Sequence, residues 1–361
     1  MKKILFETHH LYYWPNYRPI IEELKKKENY TIHASMPIRT SLIEFEIFKK
    51  ACSELKVSFI EADDEGARIV KVLKNRYDII VVGNVGQLNK IVHKTTLTVM
   101  VYHGIGLKQS YYNDIDDRIN IRSVESLDRF NELKKIGFEN IFLTGFTKLD
   151  RFKTIKKNEI NTIKESLNLN LNKKTILFAP TFYPSSLEAL YNEIKFLSKE
   201  CNIIVKLHGF SWEQKRFIYQ SQMYEELSKQ NSSIKLLENN VYDIMPYYMI
   251  ADLLISDISS TLFEYLPLDK PIIQAQCFTL RLKHKIFSNR FWRKLDLKRL
   301  GNIDFTYKIT KADDLLSRSF YALENPQEMS KKRAKALKNF LFKADGKASS
   351  RLINAIEEFE H

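Results

Sequence analysis

The sequence predicts an α/β protein built on two successive, mainly parallel sheets. Three observations carry that expectation. Short strands rich in β-branched residues alternate with amphipathic helical patterns, an order that demands right-handed crossovers onto a sheet covered on both faces. The alternation is interrupted by a polar, Asn/Lys-rich run at 156–174 and then starts again. The chain has 361 residues, enough for two cores of ordinary size.

In the first half, strands are expected at 4–7, 30–34, 55–60, 77–82 and 96–102. Helical patterns lie at 17–27, after a Pro-containing turn, and at 42–52 and 66–73. The fifth strand runs straight into His103-Gly104-Ile105-Gly106-Leu107-Lys108. A polar, acidic loop at 111–120, a helix at 124–135 and a strand at 140–143 lead to Thr144-Gly145-Phe146-Thr147-Lys148-Leu149-Asp150. The second half begins with a strand at 175–179 that ends in Pro180-Thr181-Phe182 and a helix at 187–199. A strand at 202–207 runs into His208-Gly209, and a helix at 212–229, a strand at 233–237 and a short helix at 243–250 follow. The run LLIS, bracketed by Asp252 and Asp257, reads as a buried strand, with another at 271–275. Helices at 327–343 and 349–360 close the chain.

Composition narrows the partners. Apolar content of 44% marks a globular chain, and the net charge of +13 favours anions: nucleotides, phosphorylated polymers, nucleic acid or an acidic membrane face. Lys residues spread along the chain fit a biased genome composition equally well. Cys52, Cys201 and Cys277 are odd in number with no CxxC spacing, so neither a disulfide framework nor a structural zinc site is expected. The start, MKKILFETHHLYYW, has only ILF as an apolar run, too little for an export signal. No stretch approaches the ~20 apolar residues of a spanning helix. A cytoplasmic protein is expected, with peripheral attachment at the inner membrane face as the variant.

The candidate site lies at the carboxyl ends of strands, where open α/β sheets bind ligands. Ser259, Ser260 and Thr261 stand between the LLIS strand and an apolar helical pattern. Unpaired amides at a helix start and short hydroxyls together make an anion site, while the bland alternative is a mere N-cap. Thr261 and Glu264 have capping-box spacing. Thr181 and His208 end other strands of the same expected sheet and should reach the same rim. His103, with Gly104 and Gly106 to let backbone approach a ligand and Lys108 to meet phosphate, is either a catalytic loop or a turn. No acidic cluster has metal-ligand spacing, so neither metal nor cofactor is expected. His9-His10, just after the first strand, either lines a ligand-binding cleft or, as the favoured reading, forms a pair in a solvated turn. The segment 281–300 holds eight Lys/Arg against one acid with aromatics interleaved, suited to an anionic membrane surface or to a helix packed by its aromatic face. No nucleic-acid motif accompanies it.

These residues resemble the CDP-glycerol glycerophosphotransferases, the teichoic-acid-type polyol-phosphate transferases. The segments HGIGLK (103–108), TGFTKLD (144–150), FAPTF (178–182), VKLHG (205–209) and YDIMPYYMIADLLISDISSTLFEYLPLDKPII (242–273) stand in the family's order. The resemblance implies a GT-B fold, two Rossmann-like domains facing across a cleft: an acceptor-side domain at 1–155, a nucleotide-donor domain at 156–325, and helices at 326–361 packing back toward the first. It implies His103 as base, His208 near the donor phosphates, and donor binding by Gly104, Lys108, Thr181, Lys206, Asp257, Ser259, Ser260, Thr261 and Glu264. Departures are Gly209 where the family has Pro, HGIG for an HGTP-like loop, and Thr147 for Pro. The implied reaction moves a polyol phosphate, glycerol phosphate first, from a CDP-linked donor to a hydroxyl of a cell-surface glycan or lipid-linked acceptor, releasing CMP. A glycosyltransferase using a nucleotide sugar, a nucleotide-sugar epimerase, and a non-catalytic membrane- or polymer-binding protein of the same fold are the alternatives.

Overall fold

The computed structural model describes residues 1–38, 41–86, 88–107, 116–281, 284, 292, 293 and 295–359. The chain forms two compact units. The first comprises Met1–Ile105, Tyr111–Lys153 and Asn339–His361, and the second Gly106–Ser110 and Thr154–Lys338.

The first unit holds seven strands: β1 (Lys2–Glu7), β2 (Tyr30–Ser35), β3 (Ser58–Phe59), β4 (Ile79–Val82), β5 (Leu97–Val101), β6 (Ile121–Val124) and β7 (Ile141–Leu143). They pair in the order β3-β2-β1-β4-β5-β6-β7, every neighbour parallel. β4 and β5 are buried along their whole length, as expected of strands covered on both faces. β6 has no counterpart in the sequence expectation, whose helix at 124–135 overlaps its end. Its residues, IRSV, are not an apolar run. Arg122 is nevertheless fully buried, with its guanidinium 4.6 Å from the Phe138 ring centroid and a 2.8 Å hydrogen bond to the Tyr102 hydroxyl. The helix proper is Leu127–Lys135, capped by Ser126, whose hydroxyl accepts from the Arg129 amide.

The helix expected at 17–27 is Trp14–Lys25, which takes Pro15 into its first turn, where a missing N–H costs nothing. The last helix, Ala348–Phe359, belongs to this unit. Asp150 caps it: one carboxylate oxygen accepts from the Ala348 amide at 3.1 Å and the other from the Ser349 amide at 2.7 Å. At the far end of β1, Glu7 is fully buried against Arg68, with both carboxylate oxygens 3.0 Å from Nη1.

The second unit holds β8 (Thr175–Phe178), β9 (Asn202–Val205), β10 (Ile234–Leu236), β11 (Leu253–Ser256), β12 (Ile272–Ala275) and β13 (Tyr307–Ile309). The order is β10-β9-β8-β11-β12-β13, again parallel throughout. The helix expected at 212–229 is two pieces, Phe210–Glu213 and Ile218–Gln230. β13 and the helix Asp314–Glu324 after it went unpredicted, the strand because three residues give no periodicity. Half of 281–300 lies outside the described residues. Within what is described, Arg281 lies 4.6 Å from the Tyr183 ring centroid and 4.7 Å from that of Phe217. Leu295, Asp296 and Arg299 are buried, with Asp296 capping the helix Leu297–Gly301. Among the described residues no helix is long and apolar enough to cross a membrane.

Candidate active site

In each sheet the strand order reverses once. Loops leaving the two strands at such a switch point diverge to opposite faces and open a crevice at the carboxyl edge. In the second unit the switch falls between β8 and β11, and the residues leaving those strands are Thr181 and Asp257–Thr261.

Asp257 organises that crevice. Fully buried, it accepts the Thr181 amide at 2.7 Å on one oxygen, and the Ser186 amide at 3.0 Å and hydroxyl at 3.1 Å on the other. Its role is to hold the loop after β8 against the loop after β11. Burial raises its carboxyl to about 7, against the pull of its hydrogen bonds from Thr181, Ser186 and Ile258.

The hydroxyls beyond it divide their work. Ser256 donates to the Ala179 carbonyl at 2.7 Å and so accepts from Thr261, 2.7 Å away. Ser260 donates to Glu264 at 3.1 Å, and the other oxygen of Glu264 accepts from Tyr248 at 2.9 Å. The capping box expected of Thr261 and Glu264 is therefore not formed. Glu264 is buried and bound to Tyr248 from an earlier helix, and Ser260 occupies the N-cap without a side-chain cap bond. Ser259 accepts from the Thr261 amide at 3.3 Å, which leaves its own proton to donate. Among the described residues the Ser259 and Ser260 amides make no hydrogen bond within the chain.

β9, beside β8, delivers Lys206 and His208. The Lys206 ammonium donates to the Leu207 carbonyl at 2.9 Å. His208 is half-buried, with its ring 4.8 Å from Phe182 and 5.0 Å from Phe210. Its Nδ1 accepts the Phe210 amide at 3.1 Å, so the neutral ring carries its proton on Nε2. Gly209 has φ of −51° and no atom near a built Cβ, a conformation proline also adopts. The replacement of Pro by Gly therefore leaves this turn's geometry intact. Thr181, His208 and residues 257–261 thus converge on one edge of one sheet.

His103 and Gly104 belong to the first unit, and Lys108 lies outside the described residues. The switch point here falls between β1 and β4, so His9 and His10 leave β1 directly into a crevice. His9 is buried, only 6% exposed, and the expected solvated turn is wrong for it. A Cβ on Gly86, at φ +42°, would lie 2.1 Å from His9 Nε2. A Cβ on Gly83 would lie 1.9 Å from the Tyr13 ring. His10 Nδ1 stands 3.3 Å from Glu44, and the ring stacks on Tyr12. His103, just past the end of the neighbouring strand β5, packs against Tyr12 at 4.9 Å and Tyr13 at 4.6 Å, and its carbonyl accepts from Asn16 at 3.2 Å. Tyr12, Tyr13 and Glu44 were missed by sequence reasoning; the signal for the tyrosines was a glycine pair, Gly83 and Gly86, just past the fourth strand.

Comparison with known proteins agrees with the two-sheet α/β fold. A family model described as CDP-Glycerol:Poly(glycerophosphate) glycerophosphotransferase matches residues 121–358. The teichoic acid glycerol-phosphate primase of Bacillus spizizenii is 31% identical over 163 residues, 44% of this chain and 39% of the relative. The teichoic acid poly(glycerol phosphate) polymerase of the same organism is 28% identical over 197 residues, 50% of this chain and 45% of the relative. The chain spans less than half the length of these curated relatives. Among solved structures, the wall teichoic acid polymerase TagF superposes with a TM-score of 0.68 at 16% identity, covering 100% of this chain and 90% of that one. S. aureus MnaA, in a co-structure with UDP, gives 0.67 at 13% identity, covering 100% and 97%. Likenesses at such identities show the fold, which is GT-B-like.

Proposed function

The chain belongs to the CDP-glycerol:poly(glycerophosphate) glycerophosphotransferase family, and from that membership we propose that it moves glycerol phosphate from CDP-glycerol to a hydroxyl of a glycan or lipid-linked acceptor, releasing CMP. The observation that carries the reading is the set of donors at the β8–β11 switch point, the Ser259 and Ser260 amides and the Ser259 hydroxyl, with His208 brought to the same sheet edge by β9. A site of donors suits a diphosphate. Asp257 serves it indirectly, by fixing the loop that carries Thr181.

In the proposed reaction the acceptor oxygen attacks the phosphorus that bears glycerol. The new O–P bond forms as the bond to the bridging oxygen breaks, and that oxygen leaves with the electron pair on CMP. His103 takes the acceptor's proton, a task for which imidazole's ordinary pKa of about 6.5 is placed well. His208 and the 259–261 turn hold the charge gathering on the leaving phosphate. The donor is assigned to the second unit and acceptor selection to the first, whose opening 120 residues lie outside the family match. The basic segment 281–300 is assigned to an anionic membrane face, excluding the buried Arg299. Flotation with anionic liposomes, unchanged by charge reversal at Arg281 and Arg293, would remove that assignment.

The test is to offer the purified protein CDP-glycerol and UDP-sugars with separate readouts of CMP and UDP. CMP release is expected, falling about 100-fold or more in His103→Ala and His208→Ala. Release of UDP without CMP would replace the reading with a glycosyltransferase. Full activity in both variants would remove the histidines from the mechanism.

A further inference from the structure

The first unit surrounds His103 with more structure than a strand end requires. The imidazole meets Tyr13 edge-on at 4.6 Å and 68°, and Tyr12 at 4.9 Å and 51°. Each tyrosine is itself held. Tyr13 sits in the space left by the missing Cβ of Gly83, and its hydroxyl accepts from Asn84 at 2.7 Å. Tyr12 lies 5.1 Å from His10 with the rings 17° apart. His10 is fixed by Glu44, 3.3 Å away, whose other oxygen accepts the Leu11 amide at 2.6 Å. The backbone is held separately. Asn16, fully buried in the first turn of Trp14–Lys25, donates to the His103 carbonyl, and its own carbonyl accepts from the Thr147 hydroxyl at 2.8 Å. That last bond is one no proline at 147 could make.

We propose that the segment from His10 to Asn16 is the positioning element for His103: Tyr12 and Tyr13 set the direction of the imidazole, and Asn16 sets the backbone that carries it. The inference rests on the reading of His103 as the base. Its physical content stands on ring and backbone contacts alone. A base works only within hydrogen-bond reach of the proton it takes, and a displacement of about 1 Å can cost on the order of 100-fold in rate. Two ring contacts and one backbone bond, each anchored in a different part of the unit, restrict both the side-chain torsions and the loop.

Three variants test it: Tyr12→Leu, which removes the ring from a half-buried site; Tyr12→Phe, which keeps it; and Asn16→Ala. Two readouts are needed, the kinetics of CMP release from CDP-glycerol and the imidazole signals of His103 in nitrogen-15 spectra of the unliganded protein, assigned with His103→Ala. Tyr12→Leu is expected to lower kcat about 10-fold with the donor KM within about two-fold, and to shift or broaden the His103 resonances. Tyr12→Phe should restore both. Asn16→Ala should act the same way, and if it fails to fold, the Tyr12 pair still decides. Unchanged His103 resonances in Tyr12→Leu overturn the positioning role whatever the activity does. Shifted resonances together with full activity in His103→Ala uphold the positioning and sink the base assignment instead.

Discussion

Replacing Asp257 by Asn should change the protein's stability with a sign that depends on pH. Burial raises this carboxyl from its ordinary 3.8 to about 7 in the folded protein. A raised acid pKa means that the fold prefers the neutral form. The corresponding stability is fully present below about pH 3.8 and is lost progressively as pH rises to about 7. At ~1.36 kcal/mol per pKa unit the full loss is about 4 kcal/mol. Asn removes that dependence at a constant cost. The two oxygens of Asp257 serve the Thr181 and Ser186 amides separately, and Asn, with one acceptor oxygen, leaves one of these buried N–H groups facing its amide. A buried unsatisfied donor costs about 1–3 kcal/mol. By pH 4.5 the wild type has already lost about 1 kcal/mol of this, so Asp257→Asn is expected to be destabilising by up to about 2 kcal/mol at pH 4.5 and stabilising by about 1–3 kcal/mol at pH 8. Urea unfolding of both proteins between pH 4.5 and 8.5 measures the difference directly. An offset that does not vary with pH, or one that favours the wild type more strongly at high pH, would refute the account of Asp257 as a buried acid whose charge is a burden.

Two further substitutions probe the scaffold of the first unit. Asp150→Ala strips two amides at the start of Ala348–Phe359 of their acceptor, and thermal unfolding should report a loss of about 1–3 kcal/mol. Arg68→Met leaves Glu7 buried without its cation, at about 3–5 kcal/mol; adding Glu7→Gln should recover most of that, and no recovery would mean that Arg68 acts through packing.

What was legible in the sequence followed from how buried strands are written. β8, β9 and β11 are apolar runs, TILF, NIIV and LLIS, and the polar residues that end them stand out, so Thr181, His208 and 257–261 could be found and assigned to one edge. β6 could not, because Arg122 is buried there against Phe138 and Tyr102, contacts that no local pattern announces. The same limit explains the capping box. Spacing pairs Thr261 with Glu264, but Tyr248, 16 residues earlier, bonds Glu264, and Ser256 takes the Thr261 hydroxyl. His9 fails for a third reason. A histidine pair before LYYW reads as polar, and its burial depends on the side chain that Gly86, 77 residues on, does not have.

A division of labour runs through the segments that carry the family resemblance. Asp150 and Asp257 are both buried, and both spend their carboxylate oxygens on backbone amides, Asp150 at a helix start and Asp257 between two loops. Acids so placed turn both oxygens toward the chain's own N–H and O–H groups. Their effect is on the backbone: they decide where neighbouring amides and hydroxyls point. His103 and His208 differ in their surroundings, for each ring is half-buried and packed on aromatic side chains, Tyr12 and Tyr13 for one, Phe182 and Phe210 for the other. Loss of an aspartate should therefore appear first in stability, with activity following to the extent that the loops relax. Loss of a histidine should appear in turnover with the fold intact, and that contrast separates scaffold from chemistry within motifs whose sequence spacing treats them alike.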